Sequence, residues 1–107
     1  MKALDKKLVH VVNFTLKPGL SAEDRRRFEA GISSLHTIDD IAIFNVGKPA
    51  PVDDGPTIDK NYDYCLLCIF EDIEAHDRYQ VHPVHLNFIE QCNQYWDRVV
   101  AFDSETI

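Results

Sequence analysis

The feature that most limits what this chain can become is a set of short segments that are apolar at odd and even positions alike. Tyr64, Leu66, Cys68 and Phe70 alternate with Cys65, Leu67 and Ile69, and Val99 and Ala101 alternate with Val100 and Phe102. A strand turns successive side chains to opposite faces, so such segments need cover above and below. One layer of helices covers one face only. The other face would expose about seven large apolar side chains, each worth roughly 1.5–3 kcal/mol on full burial. A patch of that size marks an interface, and two sheets pairing face to face about a two-fold axis cover it most simply.

The rest of the chain supplies the elements for such a sheet. Leu8 to Lys17 reads as a strand, with His10, Val12, Phe14 and Leu16 on one side and Val9, Val11, Asn13 and Thr15 on the other. Pro18-Gly19 ends it. Ser21, with Asp24 three residues on, caps a helix from Ala22 to about His36 whose buried stripe is Phe28, Ile32 and Leu35. Ile41–Gly47 and Tyr62–Glu71 are two more strands, joined through the proline-rich connection 48–60. Asp72 caps a short helix to about Gln80. Pro83 suits the first turn of another helix, predicted to reach about Trp96, because His85, Ile89, Cys92 and Trp96 fall on one face. Arg98 to Asp103 forms the last strand.

The order βαββαβ with right-handed crossovers predicts an α+β ferredoxin-like plait. It has a four-stranded antiparallel sheet, both helical regions on one face, and a single domain over residues 1–107. The His85 stripe must face the sheet. That puts His10, Val12, Phe14, Phe44, Tyr64, Leu66, Val99 and Ala101 on the helix side. Val9, Val11, Cys65, Leu67, Ile69, Val100 and Phe102 then form a homodimer face.

Charge and cysteine usage narrow the partners. The net charge of −7, with no basic stripe, repels phosphate backbones and argues against nucleic acid. No apolar run approaches the ~20 residues of a membrane span. His10 and Asn13 interrupt the apolar stretch after the first lysines, so it does not read as a signal peptide. Three cysteines, an odd number, suit a reducing compartment, and the expected location is cytoplasmic. Cys65 and Cys68 lie on opposite faces of a strand, ~10 Å apart along it, and read as core residues and not as a metal or redox pair.

The segment Tyr79-Gln80-Val81-His82-Pro83-Val84-His85 carries the chemistry. A titratable imidazole on a core-facing stripe must find a hydrogen bond, a ligand or a reaction. In one reading, a small apolar pocket lies between helices and sheet. His85 serves there as general base, Tyr79 orients it or donates to an enolate oxygen, and His10 and His82 stand nearby. In the other, these residues form a satisfied core network and the protein is non-enzymatic, a structural or stability protein. Phe14, Phe28 and Trp96 read as core or pocket wall, and Tyr64 faces the same side. His82, His85 and His10 could supply three nitrogens to zinc, but no acidic partner supports that set, so no metal and no cofactor are expected. His76 reads as an exposed side chain.

With these segments in place, the chain resembles the stress-responsive A/B barrel (Dabb) family. The resemblance is carried by Val9-His10-Val11-Val12-Asn13-Phe14, Phe70-Glu71-Asp72, Tyr79 to His85, and Phe102-Asp103. It implies a dimeric α+β barrel. Plant members similar over this length are polyketide cyclases that close a ring by an aldol step without a cofactor. By that resemblance His85 is the acid/base residue and Tyr79 its partner, with His10, His82 and Phe28 in the pocket. Gly31 stands where those cyclases have a pocket tyrosine, which implies a changed pocket volume and a lost hydroxyl, so the substrate need not be shared. The function implied is binding of a small, aromatic or polyketide-like molecule in a hydrophobic cleft.

Overall fold

The computed structural model describes all 107 residues. Strand β1 (Leu8–Leu16) leads into helix α1 (Ala22–Ser33) and a 3-10 turn (Ser34–Thr37). Strands β2 (Ile41–Gly47) and β3 (Tyr64–Phe70), helices α2 (Ile73–Gln80) and α3 (Pro83–Cys92), and strand β4 (Trp96–Glu105) follow. The sheet order is β2-β3-β1-β4, with every pairing antiparallel. This is the ferredoxin-like α+β arrangement.

Local chemistry sets the helix starts. Ser21 accepts a hydrogen bond from the Asp24 N–H, and Asp72 accepts one from Ala75. At the third start His82 caps α3 through Nδ1, which accepts from the Val84 N–H, and Pro83 occupies the first turn. The ends depart from expectation at two places. The first helix tightens into the 3-10 turn at Ser34, where Ser34 Oγ donates to the Gly31 carbonyl. The third stops at Cys92, so Trp96 lies on β4, opposite Leu16, and not on the helix. The helical spacing of Trp96 is real in the sequence, but backbone pairing wins: the Lys17 N–H donates to the Tyr95 carbonyl and draws the chain into the sheet.

Burial along β1 alternates strictly, with Leu8, His10, Val12, Phe14 and Leu16 sealed under the helices. The antiparallel register places Asp103, Ala101 and Val99 beside His10, Val12 and Phe14 on that same face. There the helical layer runs short. Helical regions over four strands leave β4 uncovered, and Val99 and Ala101 are exposed although they face the helix side. Phe28, Ile32 and Leu35 of the first helical region are completely buried against the sheet, as are Cys68 and Phe70 on β3.

The opposite face of the sheet has no cover. Ile43 and Phe102 are 48% and 57% exposed, with Val9, Val11, Leu67 and Val100 half-buried among them. Ile69 alone is already buried within the chain. On this face Asn13 Oδ1 is sealed from solvent without a hydrogen-bond partner. Cys65 lies here and Cys68 on the helix side, both as free thiols. No helix is long and apolar enough to cross a membrane.

Candidate functional site

The shortfall of helix over β4 leaves a hollow of about 290 Å³ between α2, α3 and the β1–β4 side of the sheet. Val12, Phe14, Leu66, Phe88, Ile89 and Trp96 supply its apolar walls, and Val99 and Ala101 its open edge. His10, Tyr79, Gln80 and His85 gather at one end. An apolar hollow with a few convergent polar groups is the usual form of a small-molecule site.

His85 is 9% exposed on α3. Its Nδ1–H donates to the Gln80 carbonyl at 3.1 Å, across the break between α2 and α3. That bond fixes the tautomer and leaves the Nε2 lone pair without a protein partner. Burial holds the His85 pKa below its ordinary value, helped by His10, His76 and His82 and opposed by the Gln80 carbonyl. The ring is therefore a neutral base at physiological pH. Tyr79 packs against it with ring centroids 4.4 Å apart. Burial above all, then Cys68 and Asp103, push the Tyr79 phenol far upward, so it stays protonated and can donate.

Behind this pair lies a polar relay. His10 Nδ1–H donates to Asp103 Oδ1 at 2.5 Å, a cross-strand pair set by the β1–β4 register. His76 lies over His10 and Phe70, with ring centroids 5.2 and 5.6 Å away. Its Nε2 accepts from the Gln80 side chain at 3.1 Å, and its Nδ1–H donates to Asp77. His76 is thus half-buried and not the exposed side chain its position on α2 suggested.

Of the residues singled out in the sequence, His85, Tyr79, His10, Phe14 and Trp96 meet at this hollow. Phe28, Tyr64 and His82 do not line it. Phe28 sits behind Phe14 and Phe88, edge to face with both. The Tyr64 hydroxyl donates to Glu29 at 2.5 Å on the far side of α1, and burial followed by that carboxylate push its pKa up to about 12. His82 spends its Nδ1 on the α3 cap. Gly31 is also outside: it lets α1 approach α3, where a Cβ would stand 2.4 Å from Cys92 Sγ. Its lack of a side chain serves helix packing and does not enlarge the hollow. The sequence reading missed His76, Gln80 and Asp103. Gln80 and Asp103 left a signal only through their places in the Tyr79–His85 segment and the Phe102-Asp103 ending.

The stress-responsive A/B barrel domain model matches residues 8–106. A Dabb-family protein with a ferredoxin-like fold from Mesorhizobium loti is 24% identical, with TM-score 0.75, covering 96% of this chain and 99% of its own. A dimeric ferredoxin-like protein of unknown function from Thermobifida fusca is 17% identical, with TM-score 0.76, over 94% of this chain and 92% of that one. A hydroxynitrile lyase from Passiflora edulis is 16% identical, with TM-score 0.74, over 94% of both chains. At these identities the likeness is one of fold. No curated protein sequence matches.

Proposed function

The chain belongs to the stress-responsive A/B barrel (Dabb) family, and from that starting point we propose that it is a homodimer whose subunits each bind a small molecule in the His85 hollow. The ligand is apolar and flat, aromatic or polyketide-like, and carries a carbonyl group. His85 removes a proton beside that carbonyl and Tyr79 donates to the oxygen on which charge develops, in cofactor-free aldol-type chemistry. The observation that carries this reading is the buried, neutral His85 with Nδ1 tied to a carbonyl and Nε2 free beside an apolar hollow. A histidine with a purely structural task would have both nitrogens satisfied, as His76 does through Asp77 and Gln80.

The dimer follows from the bare sheet face. Pairing two copies there buries Phe102 and Ile43 and offers Asn13 Oδ1 the donor it lacks. The relative from Thermobifida fusca is dimeric, which supports a dimer for this chain. The hydroxynitrile lyase adds that this scaffold is compatible with enzymatic use, but it lends no substrate to this chain.

The test is deuterium exchange at the acidic carbon of an aromatic β-keto acid or β-diketone, followed by NMR with the protein present. The expected result is faster exchange with wild-type protein and a loss of about 10²-fold or more in His85→Ala, with the dimer intact by light scattering. Neither binding nor exchange across a panel of aromatic polyketides, β-keto acids and flavins would leave the histidines a structural role only.

A further inference from the structure

A second set of donor atoms converges at the polar end of the hollow, and it does not include His85. His10 on β1, His76 on α2 and Asp103 on β4 each place a ligand-type atom within 4.8 Å of the other two. Asp103 Oδ1 is 2.5 Å from His10 Nδ1 and 3.9 Å from His76 Nε2. Three elements distant in sequence thus bring two imidazoles and a carboxylate to one point. The imidazoles are largely shielded, with side-chain exposures of 5% and 17%, while Asp103 keeps an edge in water through which an ion can enter.

We propose that His10, His76 and Asp103 form a binding site for a borderline first-row divalent cation, with Zn²⁺ the best-fitting ion. Two imidazoles and one carboxylate are a ligand set that leaves zinc one open position. Magnesium and calcium prefer all-oxygen shells and fit it poorly. Zinc–ligand bonds of about 2.0–2.2 Å set neighbouring donors roughly 3.3 Å apart. The observed 2.5 and 3.9 Å lie on either side of that figure, and rotation of the exposed Asp103 carboxylate evens them. His10 ligates through Nδ1 by moving its proton to Nε2, so the ring stays neutral. His76 exchanges its bond from Gln80 for the metal, which frees the amide to hold a metal-bound water. The site ties β1, α2 and β4 together beside the hollow, whether or not His85 turns over a substrate.

Zinc chloride titrated into chelator-stripped protein, against a chromophoric zinc indicator, tests this. The expected result is one equivalent bound per chain with a higher melting temperature. His76→Gln and Asp103→Asn should each weaken uptake by about tenfold or more, with the far-UV circular dichroism of the metal-free protein unchanged. In wild-type protein, zinc should shift the imidazole NMR signals of His10 and His76 and leave those of His36 and His82 in place. No uptake at micromolar zinc, uptake unchanged in both variants, or shifts at the other histidines would overturn the site. Because the titration needs no organic ligand, its outcome is independent of the exchange assay for His85.

Discussion

The helix-covered side of the sheet has two ends, built from the same strands and helices, that are filled in opposite ways. At one end Phe14, Phe28 and Phe88 meet edge to face at 5.5–6.0 Å between centroids, above fully buried Ile32 and Leu35. At the other, His10, Tyr79 and His85 stand around open space, with Val99 and Ala101 of β4 at its edge. The difference teaches where a plait can hold a ligand without losing its fold. Dense aromatic packing fixes α1 and α3 to the sheet, and the hollow beside His85 opens toward β4, the strand those helices leave bare.

If that division holds, substitutions at the two ends should differ sharply. Phe28→Ala empties a sealed position and should cost about 3–5 kcal/mol, read as a lower urea midpoint. A cost under about 1 kcal/mol would mean that the packed end is as yielding as the hollow one. Gly31→Ala tests the close approach of α1 to α3. The added Cβ must displace Cys92 Sγ, an overpacking that costs roughly 1–3 kcal/mol, against a helix-propensity gain of up to about 1 kcal/mol. The Cys92→Ala change should relieve it, so the double variant should be more stable than the two single effects added together.

The polar end should announce itself through pH. Unfolded His85 takes a proton as pH falls through its ordinary value of 6.5, whereas the buried ring resists protonation. Its contribution is complete above about pH 6.5 and is lost on acidification, until the pH passes the lowered folded-state pKa. Melting temperatures between about pH 5 and 7.5 should therefore fall toward the acid side, and His85→Phe should flatten part of that slope. An unchanged slope would place the titration elsewhere. The smallest effect is expected at the open edge. Ala101→Leu should change stability by no more than about 0.5 kcal/mol while narrowing the hollow, seen as weaker binding of bulky probes and little change in the melting curve.

Much of the architecture could be read directly from side-chain types. Alternation along β1 gave the buried parity, Ser21 and Asp72 marked helix starts, and the double-sided strands predicted a bare face. The end of α3 could not be read this way, because Trp96 satisfies the helical period and only its pairing with Leu16 decides otherwise. The site was legible where a residue is unusual for its setting, as with His85 on a core stripe. His76 and Asp103 were opaque for a physical reason. Each is ordinary on its own element, and only the position of α2 over β1, with the β1–β4 register, brings them to His10. Phe28 and Tyr64 face the helix side as the pattern predicts, but facing a layer does not fix which end of it a side chain reaches.

Val99 and Ala101 have a consequence beyond this one molecule. Because β4 presents them to the hollow without help from any helix, its open edge can change in shape without disturbing the buried core, whereas Val12, Phe14, Leu66, Tyr79 and Phe88 serve as wall and core at once. A lineage carrying this scaffold is free to enlarge, narrow or re-tailor its guest by drifting at that margin, while the aromatic end keeps every descendant folded.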